Sequence, residues 1–332
     1  MTAAAWQRDL SRAITRPEEL IDALGLDREL LKGARAANDA FALRVTPSYL
    51  ARMRRGDRDD PLLRQVLPLS EELIEQGGYV ADPLRERDYS LAPSLLQKYA
   101  GRALLITTQA CAIHCRYCFR REFPYDEQQE EPGAARWSAA LAAIAADASI
   151  EEVILSGGDP LSLSDARLTQ LTDALQGIPH LRRLRIHTRQ PIVLPSRVDD
   201  GLVGWLRGLR LPAVMVLHTN HANEIDRDVR AACARLRSAR LTLLNQSVLL
   251  RGVNDSVEVL ANLSRALFDI GVTPYYLHLP DPVRGTAHFD VPLAEARTLI
   301  DGLTASLSGY LVPRLVREVP GAASKVAAAD LT

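Results

Sequence analysis

The chain has 332 residues, 47% of them hydrophobic and 24% charged, a composition that suits a folded globular protein and excludes an extended disordered one. Its 40 basic and 41 acidic side chains give a net charge of −1, which argues against a general nucleic-acid or anionic-membrane surface. The start, MTAAAWQRDLSRAI, lacks a basic-then-apolar leader and no window reaches eighteen uncharged apolar residues, so a cytoplasmic chain without a membrane span is expected.

Residues 1–95 read as an N-terminal helical region. Thr15 before Pro17 and Glu18 resembles an N-cap with an early proline, and Thr46 before Pro47 repeats the device. The basic run ARMRRGDR (51–58) is expected to be a solvated helix face, and no convincing strand is visible in the region. From about residue 100 the pattern changes. The β-rich runs ALLIT, EVILS, LRIHT, AVMVLH, LTLLNQSVLL and PYYLHL alternate with helical stretches, six strand–helix units that imply a right-handed parallel array. Polar clusters follow nearly every strand: cysteines after the first, SGGDP after the second, HTRQP after the third, HTNH after the fourth and HLPD after the sixth, with NQS along the fifth. Function loaded onto successive strand ends favours the active face of a partial (β/α)6 barrel over a doubly wound sheet, and no GxGxxG or Walker sequence is present.

Three of the four cysteines lie within eight positions, as Cys111-x-x-x-Cys115-x-x-Cys118, whereas Cys233 stands alone in a helical stretch. Thiolates are soft ligands suited to iron–sulfur clusters or zinc, and a three-thiolate site leaves a coordination position open. Two plainer readings stand beside this one: a zinc knuckle completed by His114, or three buried thiols without metal. Ser156, Gly157, Gly158 and Asp159 form a tight turn in which glycines admit a ligand and Asp159 can accept from an ammonium.

The cysteine spacing, with Tyr117 before the third thiol, resembles the radical S-adenosylmethionine superfamily. The ordered segments YAGRALLITTQACAIHCRYCFRR, SGGDP, RIHTRQPIVLPSRV, HTNHANEI, LLNQSVLLRGVNDS and YYLHLPDPVRGTAHF resemble the lysine 2,3-aminomutase family, over about Tyr99 to Lys325. The resemblance implies a radical S-adenosylmethionine barrel over 96–310 and a C-terminal segment, 311–332, carrying the pyridoxal phosphate lysine. It implies three cofactors: a [4Fe-4S] cluster on Cys111, Cys115 and Cys118, S-adenosylmethionine, and pyridoxal 5′-phosphate. Lys325 is implied as the Schiff-base lysine, with Lys98, Tyr99 and Arg102 around that cofactor. Ser156 to Asp159, His218 and Gln246 are implied near the methionine end of the co-substrate. Arg120 is implied to grip the α-carboxylate of lysine, and Asp281 and Glu318 its ε-ammonium; at Glu318 the family's free-lysine enzymes are expected to carry aspartate.

Two departures refine the expectation. Asn254-Asp255 is followed by Ser256, and the sequence stops seven residues after Lys325, so no structural zinc site of the larger family members is expected. The compact form resembles the branch that makes (R)-β-lysine for modification of elongation factor P beside a lysyl ligase. An electron donor for the cluster is a further implied partner. The competing readings are an aminomutase of a metabolic route and a non-catalytic metal-binding module.

Overall fold

The computed structural model describes residues 4–123 and 137–331. Ten strands make one sheet in sequence order: β1 Ser90–Ala92, β2 Leu95–Tyr99, β3 Arg102–Thr108, β4 Glu152–Gly157, β5 Arg183–Thr188, β6 Ala213–His218, β7 Thr242–Val248, β8 Thr273–His278, β9 Arg314–Arg317 and β10 Val326–Ala327. Strands β3 to β9 run parallel, while β1 and β2 add antiparallel to β3 and β10 adds antiparallel to β9. A sheet ordered this way, with a helix after most parallel strands and, among the described residues, no pairing between its outermost strands, is a partial barrel.

The six predicted strands are β3 to β8. Two differences from expectation lie at the edges. Strands β1 and β2 form inside and just after the region read as purely helical, and the C-terminal segment is not an appendage: β9 pairs with β8 through Tyr276–Arg314 to His278–Val316. Strands of two to five residues with mixed polarity are nearly invisible in sequence, because pairing with a preformed neighbour, not their own pattern, stabilises them.

Within the N-terminal region lie helices α1 Ala5–Ser11, α2 Pro17–Leu24, α3 Leu30–Ala40 and α4 Pro47–Leu50. Helix α2 buries Leu20, Ile21 and Leu24 and ends on Gly25, whose left-handed φ of 64° stops the helix. Its N-cap is Arg16 rather than Thr15 and offers no side-chain cap. Thr46 does cap α4, accepting from Tyr49 N at 3.2 Å, but that helix stops after one turn. The basic run that follows is not uniformly solvated. Arg52 is buried, donating to Ile192 O at 2.7 Å and Ser48 O at 3.0 Å, so it ties the region to the barrel. The barrel helices are α5 Ser138–Ala146, α6 Asp165–Gln176, α7 Gln190–Val193, α8 Asp200–Gly208, α9 Arg227–Ser238, α10 Val257–Asp269 and α11 Leu293–Ser306. One continuous apolar core joins Trp6, Leu20, Tyr49 and Leu62 of the N-terminal region to Leu105, Leu155, Ile186 and Leu217 of the strands. At about 1.5–3 kcal/mol per buried large side chain, that shared core fixes the region against the barrel.

Candidate active site

The cysteine loop leaves β3 and is latched to the end of β4. Gly158 N donates to Thr108 O at 2.6 Å and Asp159 N to Ala110 O at 2.8 Å. Both glycines are required for this approach. A Cβ at Gly157, where φ is 119°, would lie 2.5 Å from Thr108 O, and one at Gly158 would lie 2.5 Å from Ala110 O and Gln109 O. Their absent side chains therefore admit the cysteine loop's own backbone.

The N-terminal region holds the loop from the other side. His114 N donates to Arg44 O at 3.0 Å, and the His114 ring bonds Ala42 O through Nδ1 at 2.8 Å and stacks on Phe41. Arg116, fully buried, places Nε and Nη2 on the Glu72 carboxylate at 2.8 and 2.6 Å. His114 is thus engaged outside the thiols. Among the described residues no three His, Cys, Asp or Glu side chains converge as a single ion requires, with ligands about 2.0–2.3 Å from one point. The thiols themselves are costly to ionise where they stand: burial, with Asp159 and the other two cysteines, pushes Cys111 well up, and burial pushes Cys118 up to about 11. Three partly buried thiols on one loop are soft ligands of the kind an iron–sulfur cluster takes, and its iron would neutralise them.

Asp159 is held by the protein itself. Its Oδ1 accepts from Leu161 N at 3.0 Å and Thr188 Oγ1 at 2.7 Å, and its Oδ2 from Arg189 N at 2.8 Å and Gln190 N at 3.1 Å. With four donors within the protein, the carboxylate braces the turn after β5. The turn it braces carries Arg189. That guanidinium reaches Cys115 Sγ, Tyr117 Oη, Tyr49 Oη, Gln65 Oε1 and Glu224 Oε2, all within 3.1 Å.

Across the barrel a series of ion pairs links the residues predicted for lysine and its cofactor. Lys325 Nζ lies 2.7 Å from Glu318 Oε2, and Glu318 Oε1 lies 2.8 Å from Lys98 Nζ. Lys98 Nζ continues to Glu86 Oε1 at 3.0 Å, and Glu86 takes the Arg120 fork, Nε and Nη2 both at 2.8 Å. Arg120 Nη1 then donates to Ser156 Oγ at 3.3 Å. Burial works to raise the Glu86 carboxyl, but Arg120 and Lys98 overcome it and hold it below its ordinary value. Glu318 is likewise held far down against burial by Lys325 and Lys98. Asp281 goes the other way: burial and the nearby Glu318 charge push it up to about 7. Glu318 is therefore ionised and paired, while Asp281, close enough to feel its charge, sits near neutrality.

His218 and Gln246 sit together on adjacent strands, with Nε2 of each 2.7 Å apart. The His218 ring lies 6.0 Å from His187, and burial lowers it to about 3. His187 and His278 are also held neutral by burial. The Arg102 guanidinium stacks over the Tyr99 ring at 4.7 Å, at the strand edge facing Glu318 and Asp281, whose charges join burial in raising the phenol. Tyr99 Oη, His187 Nε2, His278 Nε2 and Arg317 Nε are buried without a hydrogen-bond partner. Orphaned polar atoms around a lysine amine are what a polar cofactor would satisfy, so these residues fit pyridoxal phosphate.

Residues 100–180, which hold the three cysteines and SGGDP, match the family of 4Fe-4S single cluster domains. The chain is 50% identical to an L-lysine 2,3-aminomutase of Escherichia coli (strain K12), over 96% of this chain and 93% of that one. It is 45% identical to an L-lysine 2,3-aminomutase of Haemophilus influenzae, over 98% and 96% respectively. The chain belongs to the L-lysine 2,3-aminomutase family. A solved structure, Streptococcus suis SuiB bound to S-adenosylmethionine, aligns with 67% of this chain and 51% of its own at 15% identity and a TM-score of 0.49.

As a member of the aminomutase family the chain is an isomerase, and membership carries the cofactor set that the resemblance implied: a [4Fe-4S] cluster, S-adenosylmethionine and pyridoxal phosphate. Among the described residues no helix is long and apolar enough to cross a membrane. Three features of this aminomutase escaped sequence reading. Arg189 stood in the quoted HTRQP without a role; Glu86 lies in a stretch with no periodic pattern; and His187 and His278 end strands whose polar residues were read only as loop clusters. Both of these histidines lie near enough to Lys325 for its charge to join burial in lowering them.

Proposed function

We propose that the protein converts L-α-lysine to (R)-β-lysine, with Cys111, Cys115 and Cys118 holding the cluster and Lys325 carrying pyridoxal phosphate. The observation that supports this reading most is the ion-pair series itself, which runs from a carboxylate-binding fork, Arg120, through Glu86 and Lys98 to Glu318 and the Lys325 amine, with Asp281 close enough to feel the Glu318 charge. When bound, the cluster with S-adenosylmethionine supplies a carbon radical able to take hydrogen from an unactivated carbon, and pyridoxal phosphate supplies the covalent carrier for nitrogen migration.

The chain's own residues bind and orient. Arg120 exchanges the Glu86 carboxylate for the α-carboxylate of lysine, a bidentate contact that fixes the direction of the backbone atoms. Asp281 and Glu318 receive the ε-ammonium, which replaces Lys325 Nζ at Glu318 and releases that amine. Lys98 stays between Glu86 and Glu318 and balances whichever carboxylate has lost its partner. Tyr99 and Arg102 lie on the cofactor side of Lys325, with Arg102 the cation for its phosphate. His218 and Gln246, with Ser156 and the backbone of Gly157 and Gly158, line the co-substrate's side. The neutral histidines keep net positive charge away from a sulfonium.

An Arg120 fork fits a free carboxylate and not the amide of a lysine already joined to another protein, which favours free lysine as the substrate. The product then serves β-lysylation of elongation factor P in the cytoplasm, with a lysyl ligase as the next enzyme and a separate electron donor for the cluster. In an anaerobic assay with both cofactors and lysine, Lys325→Ala is expected to lose β-lysine formation by at least about 1,000-fold while keeping its iron content. Normal turnover by Lys325→Ala would remove the assignment of the amine. Adding lysine-acylated elongation factor P in place of free lysine separates the two substrates.

A further inference from the structure

Arg189 is 7% exposed and its guanidinium is divided between two sets of acceptors. Nη2 donates to Gln65 Oε1 at 2.7 Å, Glu224 Oε2 at 2.9 Å and Tyr49 Oη at 3.1 Å. Nη1 donates to Tyr117 Oη at 2.6 Å and Cys115 Sγ at 2.7 Å. The first set would suffice to satisfy and neutralise a buried structural arginine. The second is not needed for that, and a neutral thiol is a weak acceptor, whereas a metal-bound sulfur carries the negative charge that a guanidinium seeks.

The position is also over-determined from three directions. Asp159 fixes the backbone through Arg189 N and Gln190 N. Glu224 is itself held by Asn220 N at 2.9 Å, His221 N at 3.1 Å and Gln65 Nε2 at 3.2 Å. Tyr49 and Gln65 come from the N-terminal region, whose Arg52 donates to Glu224 O and whose Gln65 O accepts from Arg116 N at 2.9 Å. The region of unassigned purpose therefore ends on a cation aimed at one cysteine.

We propose that Arg189 is a positioning residue that sets the reduction potential of the cluster, and that the N-terminal region contributes Tyr49 and Gln65 to hold it there. This rests on the reading that Cys111, Cys115 and Cys118 carry the cluster. Reduction adds one electron to the cluster. A fixed guanidinium donating to a ligand sulfur stabilises that added charge, so it raises the potential, and hydrogen bonds to the sulfurs are among the levers by which proteins tune such centres.

The test is a redox titration of the anaerobically reconstituted full chain without S-adenosylmethionine, read by the electron paramagnetic resonance signal of the reduced cluster, with iron and sulfide measured in parallel. Arg189→Gln is expected to lower the reduced-to-oxidised ratio at fixed potential at least tenfold, about 59 mV for a one-electron couple. Arg189→Lys, which keeps the charge but not the fork, is expected to fall between that variant and the wild type. Glu224→Gln removes the countercharge and is expected to shift the potential the opposite way, upward. Wild-type iron content with an unmoved potential in Arg189→Gln overturns the proposal. If Arg189→Gln fails to retain its cluster, Glu224→Gln decides: an upward shift supports the proposal and an unmoved or lower potential overturns it. A wild-type chain that binds no iron overturns the ligand assignment and the proposal with it.

Discussion

Asp159 and Glu318 both lie just past the ends of barrel strands, yet their partners differ in kind. Asp159 accepts from three backbone N–H groups and one hydroxyl, all belonging to the turns on either side of it. Glu318 accepts from two lysine ammoniums, Lys98 and Lys325, and Lys98 pairs onward with the Glu86 carboxylate. The first arrangement is closed and rigid. The second is a string of charges that pair with each other until something of the same charge pattern replaces a link. The cysteine side of the chamber is built throughout in the first manner, with Asp159, Glu72 and Glu224 locking the turns that carry Cys111 to Cys118 and Arg189. The lysine side is built in the second. A group that must keep one geometry through many turnovers suits a saturated network; a ligand that arrives and leaves suits exchangeable pairs, because a buried charge is costly only while it lacks a partner.

Breaking the rigid side has the largest expected effect. Gly158→Ala forces a Cβ to within 2.5 Å of two carbonyl oxygens of the cysteine loop, with backbone on both sides and nothing able to yield. The variant is expected to lose stability at or above the upper end of the ~1–3 kcal/mol range for overpacking, and most of its iron after reconstitution. Denaturant titration of the metal-free chain beside iron analysis reads both, and a variant with wild-type iron content would show the latch to be dispensable.

On the exchangeable side the effects are smaller and fall on binding. Arg120→Lys keeps the charge but not the fork. The KM for lysine is expected to rise about 10- to 100-fold, the equivalent of losing a charge-assisted bond of about 1.5–3 kcal/mol, with the cluster spectrum unchanged. Equal losses in KM and iron content would place Arg120 with the rigid network instead.

The smallest effect sharpens the contrast by pH. Asp281 is raised to about 7, so it must lose a proton before it can pair with an ammonium. Affinity for lysine is therefore expected to improve as pH rises through about 7 and to weaken below it. Asp281→Asn should raise KM about 10-fold above that pH while differing little from wild type below pH 6, where the wild-type acid is already neutral. Parallel pH profiles for the two proteins would remove Asp281 from ammonium binding.

Much of the barrel was legible because each of the six central strands is a short β-rich run followed by a helical stretch, a pattern that survives without any tertiary information. The three-cysteine motif was legible for a similar reason: its spacing is contained in one short local segment. Arg52 was misread as solvated because nothing near it in the chain indicates that Glu224 and Ile192, 172 and 140 residues away, will close over it. The bracing role of Asp159 was hidden for the same reason, since three of its four donors come from residues 188–190.

The sequence by itself determined the order of the central elements and the three-thiol loop, because these depend on local periodicity and spacing, while the charged groups named around Lys325 came from the resemblance. Only the tertiary structure decided which charges are locked and which can be exchanged, and that the N-terminal region ends on Arg189 beside Cys115. Those outcomes depend on contacts between segments that share no local pattern, and whether a buried charge is satisfied becomes definite only when the parallel register has brought the strand ends together.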